Sequence, residues 1–287
     1  MEKTLKFTKM QGLGNDFVVV EGNDANATGL SYSALAEKIC DRHFGVGSNG
    51  LIIVNPPDVK TDADVSWRIF NSNGTEPEMC GNGIRCFARY AYENGFVKKK
   101  KFTVQTLAGI IVPEILEDKE VKVDMGKPNL DTARIPFTGV KSGIVKGFKL
   151  KVSDREFEIT AVNMGNPHCV IFSNEDTELL ARKYGHEIST HSLFPQKTNV
   201  EFVKVISKNH IKVDVWERGC GITLACGTGA CASTVAGILD NLVNNDVQVE
   251  LPGGSLKIQW DKDIENSSVF MTGKSEFVFE GKYLLTK

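Results

Sequence analysis

Two cysteines stand in nearly the same local sequence, Cys80 in C-G-N-G-I-R-C and Cys226 in C-G-T-G-A-C, 146 residues apart. An apolar run at helical spacing follows each of them, so each thiol is expected at the start of a helix. The first N–H groups of a helix carry the positive end of its dipole, and glycines there let a ligand approach the backbone closely. A thiol so placed is expected to give up its proton more readily than a free cysteine, whose pKa is about 8.5. A twinned pair of this kind suits one reaction class. Inverting a carbon next to a carboxylate needs a base on one face and an acid on the other; one residue serves as thiolate, its twin as thiol, and reversal exchanges them. Their protonation is coupled. The charge that develops passes into the substrate carboxylate, which the N–H groups of Gly81, Asn82, Gly227 and Thr228 are placed to receive. A cysteine nucleophile acting alone would need no twin.

The elements that must position these thiols are also twinned. Phe70 to Gly83 aligns without a gap on Trp216 to Gly229; Gly14-Asn15 aligns on Gly165-Asn166 at an offset of 151, Asn49 on Asn199 at 150, and Leu35-Ala36 with Lys38 on Leu180-Ala181 with Lys183 at 145. Four blocks in one order at nearly one offset mark an internal duplication. Each half carries short β-branched and aromatic runs bounded by Gly, Pro, Asn or Asp, which is strand grammar. In the first half these are Lys6 to Lys9, Phe17 to Glu21, Leu51 to Val54, Trp67 to Phe70, Phe102 to Gln105, Ile110 to Ile115 and Val121 to Asp124. The second half has Phe148 to Val152, Glu156 to Val162, Cys169 to Phe172, Val200 to Val205, Ile211 to Trp216, Val247 to Leu251, Leu256 to Trp260 and Ser268 to Thr272, with a Pro-Gly-Gly-Ser hairpin turn after Leu251. Two helices per half are expected: an amphipathic pair at about Ser33 to Arg42 and Thr177 to Tyr184, and an enclosed pair after the cysteines, the second from about Gly229 to Leu242. The fold class is therefore α+β, with two homologous domains, each a mainly antiparallel sheet or barrel wrapped around a central helix. The expected bounds are 1–123 and 124–276, with a C-terminal strand near Tyr283, in 277–287, completing the first half, and the site in the cleft between the halves.

Composition narrows the function. With 41% hydrophobic and 24% charged residues over 287 positions, the chain can bury a sizeable core, and wholesale disorder is excluded. Thirty-four Lys and Arg against 36 Asp and Glu leave a net charge of -2, which provides no field to gather nucleic acid or an anionic membrane. The Lys98 to Lys101 run reads as solvated charge at a strand edge. The start of the chain, MEKTLKFTKM, alternates polar and apolar residues and is not a signal peptide. No aliphatic stretch approaches the ~20 residues a bilayer needs. A cytoplasmic location follows, with neither nucleic acid nor membrane as partner. Seven cysteines without a C-x-x-C pair point to thiols in a reducing compartment. No metal is expected: His168, in G-N-P-H-C, has no second ligand at suitable spacing and reads as a turn residue or a hydrogen-bond donor lining the cleft. The G-x-G-x-x-G at Gly45 to Gly50 precedes a strand instead of linking strand to helix, which argues against a nucleotide.

Together these residues resemble the diaminopimelate epimerase family over nearly the whole chain. The resemblance is carried by G-L-G-N-D-F at Gly12 to Phe17, R-H-F-G-V-G at Arg42 to Gly47, F-N-x-x-G at Phe70 to Gly74 and M-C-G-N-G-I-R-C at Met79 to Cys86. It continues through G-N-P-H-C at Gly165 to Cys169, the Asn199 block, and W-E-R-G through A-C-G-T-G-A-C at Trp216 to Cys231. It implies cofactor-independent epimerisation of LL-2,6-diaminopimelate to the meso form, in lysine and peptidoglycan precursor biosynthesis, with Cys80 and Cys226 as the acid and base. It further implies that Asn15, Asn71, Asn166, Asn199, Glu217 and Arg218 bind substrate, with His168 and Glu217 near the reacting centre. The chemistry agrees. Diaminopimelate has two amino-acid heads; the distant one needs a cation for its carboxylate, and the planar fork of Arg218 suits it. Two departures stand out: Gly50 replaces a glutamine that contacts substrate in some members, and an R-G-A-G-E-T-like stretch reads Arg218-Gly219-Cys220-Gly221-Ile222-Thr223. The alternatives are a two-cysteine racemase of a monocarboxylate such as proline and a non-catalytic small-molecule binder. Arg218 and the asparagines argue against the first, and the intact thiol pair argues against the second. The sequence leaves a homodimer open.

Overall fold

A computed structural model describes residues 3–285, so the outermost residues 1, 2, 286 and 287 of the expected bounds lie outside the described residues. The chain divides into two compact units, 1–123 together with 273–287, and 124–272. The first runs β1 (Lys3–Gly12), β2 (Asn15–Glu21), α1 (Gly22–Ala27), α2 (Tyr32–Ile39), β3 (Gly50–Asn55), β4 (Val65–Asn71), α3 (Gly81–Glu93), β5 (Val104–Thr106), β6 (Gly109–Ile111), β7 (Pro113–Ile115) and β8 (Val121–Asp124). The chain continues through β9 (Phe148–Val152), β10 (Arg155–Asn163), β11 (Pro167–Phe172), α4 (Thr177–Ser189), β12 (Asn199–Ser207), β13 (His210–Glu217), β14 (Gly221–Ile222), α5 (Gly227–Leu239), β15 (Asp246–Leu251), β16 (Gly254–Gln259), β17 (Phe270–Gly273) and β18 (Glu276–Leu285).

Among the described residues the first unit holds a seven-stranded sheet in the order β18-β1-β2-β3-β4-β5-β6. β18 pairs antiparallel with β1 from Lys3 to Gln11. The second unit repeats the plan with the order β17-β16-β15-β13-β12-β11-β10-β9, and β14 attached to β13. Most pairs are antiparallel. The parallel ones recur at matched places: β2 with β3 and β4 with β5 in the first unit, β11 with β12 and β13 with β15 in the second. On one face of each sheet an amphipathic helix packs. Leu35, Ala36 and Ile39 of α2 cover Val18, Val20, Leu51 and Ile53; Leu180, Ala181, Tyr184 and Ile188 of α4 cover Cys169, Ile171, Val200 and Phe202. The opposite face curls around a central helix, α3 or α5. These helices are buried on almost every side, which is why Gly227 to Leu239 shows no polar stripe.

Several local expectations need correction. The run Ile110 to Ile115 is two strands: β6 pairs with β5, the chain breaks at Val112, and β7 pairs with β8. Pro113, lacking an N–H, stands first in β7, where a proline is tolerated. The first unit has an additional short helix, α1, whose G-N-D-A-N-A sequence has no apolar period. α4 passes through Gly185 and ends at Ser189 instead of Tyr184. A Cβ at Gly185 would stand 2.6 Å from Cβ of Trp216, so this glycine allows helix and strand to approach and does not end the helix. α2 spans Tyr32–Ile39 behind a Ser31 cap, three residues short of Arg42. α5 begins at Gly227, two residues earlier than expected, directly after the cysteine.

Candidate active site

In both units the cysteine is the N-cap of the central helix, in an extended conformation (φ -143°, ψ 114° for Cys80; φ -120°, ψ 109° for Cys226). That geometry aims the helix's first N–H groups past the side chain. Cys80 is half-buried, and its Sγ accepts the N–H of Gly83 at 3.4 Å. Asn82 accepts at its side-chain oxygen from Arg85 Nη2, at 2.9 Å. Arg85 is fully buried and also donates to the carbonyls of Gly81 (3.1 Å) and Lys274 (3.2 Å), pinning the first turn of α3. This cation interrupts the apolar run between Ile84 and Phe87, and no sequence motif marks it as buried.

The second glycine of each motif has a steric reason. A Cβ on Gly83 would come within 2.9 Å of Ile69 Cδ1, and one on Gly229 within 2.8 Å of Glu201 Oε1 and 3.3 Å of Cys226 Sγ. Gly229→Ala is therefore expected to shift the start of α5 and to cost about 1–3 kcal/mol of stability, the usual range for overpacking. Thermal melting of the variant beside wild type measures it, and an unchanged melting temperature contradicts the packing described.

Cys226 sits among polar groups. It is buried, with Sγ 3.5 Å from Thr228 Oγ1. Burial first, and then the charges of Glu217 and Glu201, push its thiol well above the ordinary cysteine value. This reverses the expectation of a thiol that ionises readily: the helix start favours thiolate, but two carboxylates and desolvation outweigh it. Glu217 is itself raised by burial, partly offset by hydrogen bonds from Thr223 and Cys226. The departure stretch after Arg218 makes the β13–β14 hairpin that delivers Thr223 to Glu217.

His168 is a strand residue in β11, not a turn residue. It is fully buried, with Nδ1 2.7 Å from Glu201 Oε1 and Nε2 2.9 Å from Asn166 Oδ1. Asn199 ties three strand ends together: Nδ2 donates to the Pro167 carbonyl (3.1 Å), and Oδ1 accepts the Arg218 N–H (2.8 Å). The exposed Arg218 guanidinium donates to the Gln196 carbonyl at 3.2 Å, and among the described residues it pairs with no carboxylate. In the first unit Asn15 follows a tight turn with Leu13 and Gly14 at positive φ (57° and 80°), the form a two-residue hairpin needs. Its Oδ1 is buried with no hydrogen-bond partner among the described residues, an acceptor left for a ligand's N–H. Asn71, exposed at the end of β4, donates to Thr75 Oγ1 at 2.9 Å. Each unit thus gathers its own half of the expected set: Asn15, Asn71, Cys80, Gly81 and Asn82 in the first, and Asn166, His168, Asn199, Glu217, Arg218, Cys226, Gly227 and Thr228 in the second. A cavity of about 590 Å³ lined by Lys6, Glu21, Asp24 and Tyr90 includes none of them.

Strand register corrects the repeat alignment. Phe17 opposes Gly50 as His168 opposes Asn199. The counterpart of Asn199 is therefore Gly50, not Asn49, and the counterpart of Glu201 is Ile52. Gly50 likewise opposes Asn71, so Asn71 and Glu217 correspond. Where the second unit has His168, Glu201 and Glu217 on the face toward its central helix, the first has Phe17, Ile52 and Asn71.

Two β-rich units with central helices place the chain in a fold shared by proteins of diverse activity. It superposes on a phenazine biosynthesis protein of the PhzF family from Bacillus anthracis with a TM-score of 0.72 at 19% identity, covering 99% of this chain and 100% of that one. A hydroxyproline epimerase from Agrobacterium vitis, with bound trans-4-hydroxy-L-proline, matches with a TM-score of 0.67 at 12% identity, covering 99% and 93%. Sequence is more specific. The family model described as diaminopimelate epimerase matches residues 7–130 and 160–278. Proteins named diaminopimelate epimerase from Carboxydothermus hydrogenoformans (51% identical, covering 98% of this chain and 100% of that one) and Halothermothrix orenii (48%, covering 98% of each) align along nearly their whole length. The chain belongs to the diaminopimelate epimerase family.

Proposed function

We infer that the protein interconverts LL- and meso-diaminopimelate, in lysine and peptidoglycan precursor biosynthesis, by a two-base route in which Cys80 and Cys226 flank the α-carbon of one head of the substrate. The observation that carries this reading is the same thiol-glycine-x-glycine helix start in both units. One cysteine removes the α-proton, the electron pair passes into the adjoining carboxylate, and the other cysteine delivers a proton to the opposite face. The N–H groups of Gly81, Asn82, Gly227 and Thr228 hold that carboxylate while its charge grows. Cys226 enters as the proton donor, because burial and the charges of Glu217 and Glu201 favour its thiol form. Cys80 then enters as the base, because a two-base route pairs one thiol with one thiolate. Reversal exchanges them.

Asn15, Asn71 and Asn166 serve the substrate's amino groups and Arg218 its far carboxylate, with Asn199 holding the Arg218 backbone in place. A two-base route requires that both thiols reach one carbon. No cofactor enters this scheme: dialysed, chelator-treated protein is expected to retain full activity. Activity lost on that treatment and restored by pyridoxal phosphate or a metal ion sinks the scheme. The decisive assay is incorporation of solvent deuterium at the α-carbon of diaminopimelate.

Location and assembly complete the reading. Among the described residues no helix is long and apolar enough to cross a membrane. A cytoplasmic location is supported by Cys40, Cys86 and Cys169, which are core thiols. A homodimer is supported by β18, a long edge strand on which Val278, Phe279 and Leu284 remain about half exposed.

A further inference from the structure

Glu201 is a carboxylate that the scheme above uses only as background charge, yet its surroundings are built around it. It is completely buried in β12, between Val200 and Phe202, which point into the core beneath α4. The fold does not need a carboxylate here: the first unit makes the same strand, in the same register, with Ile52. Burying a charge is costly unless it is paired and hydrogen-bonded. The partner present is His168, whose Nδ1 lies 2.7 Å from Oε1, while Oε2 has no hydrogen-bond partner among the described residues. Gly229 lacks a side chain at the spot where one would press on Glu201 Oε1, so the start of α5 is also shaped to admit this carboxylate. A residue that the fold can replace with isoleucine, and that leaves a buried oxygen unsatisfied, answers to chemistry and not to packing.

We propose that Glu201 is a positioning residue for the reaction, acting through His168. It fixes the imidazole in the tautomer with its proton on Nδ1, which leaves Nε2 an acceptor, so the Asn166 amide, whose Oδ1 and Nδ2 ends exchange by a half-turn, must present its Nδ2–H to that nitrogen in place of the Oδ1 that lies 2.9 Å away. Neither ring nitrogen can then exchange roles during the cycle. An imidazole nitrogen held at hydrogen-bond distance from a carboxylate oxygen is held there by donating its proton, so the pair specifies which nitrogen carries it. The titratable groups near Glu201 come from three elements: His168 and Cys169 in β11, Glu217 in β13, and Cys226 at the start of α5. This inference rests on the two-base reading for its catalytic consequence, but not for its structural one.

The test therefore has two arms. In the wild-type protein, ¹⁵N NMR of the histidine side chains, with His168 identified by loss of its signals in His168→Gln, is expected to show the proton on Nδ1. A ring with Nδ1 unprotonated overturns the proposal, whatever any variant does. Glu201→Gln keeps the shape but presents an amide, which can accept from the ring or donate to it. The variant is expected to show both tautomers and to lose about 10- to 100-fold in kcat, the scale of a displaced reacting group, with KM changed much less. A folded variant that keeps the single Nδ1–H tautomer, or keeps wild-type kcat, also overturns it. Failure of the two-base reading shows separately, as activity surviving in the cysteine variants, and leaves the tautomer result standing.

Discussion

Cys80→Ala and Cys226→Ala are each expected to lose epimerisation in both directions, by about 100- to 10,000-fold, the contribution of a positioned acid or base. Each direction needs a proton removed and a proton supplied, so neither thiol is dispensable. The two variants are not expected to behave alike in solvent exchange. Cys226→Ala keeps Cys80, the base of the scheme, and exchange of the α-proton without inversion should persist. Cys80→Ala keeps only Cys226, held as thiol by burial and by Glu217 and Glu201, and its exchange should be slower. Mass spectrometry of diaminopimelate incubated in deuterated buffer, combined with separation of the stereoisomers, reads both quantities. Near wild-type turnover in either variant removes the two-base mechanism. Equal exchange in the two leaves that mechanism intact but contradicts the assignment of Cys226 as the initial donor.

This asymmetry is the part of the site that the sequence hid. The twinned placement of Cys80 and Cys226 at helix starts was legible because the duplication writes the same short motif twice. The two-unit plan was legible for the same reason. What sets the two thiols apart lies on neighbouring strands, and a helix-dipole argument made from the motif alone had no access to Glu201 and Glu217. Glu201 was missed for a definite cause. Aligning Asn49 with Asn199 pairs Glu201 with Leu51, which packs under α2, on the opposite face from the central helix. A one-residue slip in a strand exchanges its faces. With the register corrected, a glutamate opposite an isoleucine in an otherwise apolar strand is a visible signal. His168 reads from sequence as a turn residue or a hydrogen-bond donor because the Gly165-Asn166-Pro167 stretch before it has turn chemistry; the turn ends at Asn166, and Pro167 already pairs with Asn163 and His168 with Val162. The Ile110 to Ile115 run failed differently: its residues do prefer strand, but nothing in their order shows that the chain changes partner at Val112.

Substrate identity is tested most sharply through Arg218, assigned to the carboxylate remote from the carbon that inverts. Its backbone is held by Asn199 and its guanidinium donates to the Gln196 carbonyl, so the fork is positioned without being consumed by a carboxylate of the described residues. Arg218→Lys keeps the charge and loses the planar pair of donors. Arg218 is exposed in the free protein and lysine keeps the charge, so the loss is that of a bidentate hydrogen bond to a charged group, roughly 1.5–3 kcal/mol, and kcat/KM for diaminopimelate is expected to fall by about one to two orders of magnitude. The loss should not appear in KM alone. Binding energy from the far head also orients the reacting one, so kcat is expected to fall as well. A monocarboxylate such as proline offers Arg218 nothing to hold, and any trace activity on it should be nearly unchanged by the substitution. Steady-state kinetics on both substrates, with wild type and Arg218→Lys side by side, decide the matter. If wild type prefers proline, or if Arg218→Lys leaves diaminopimelate kinetics intact, the far carboxylate is held elsewhere and the assignment of Arg218 fails.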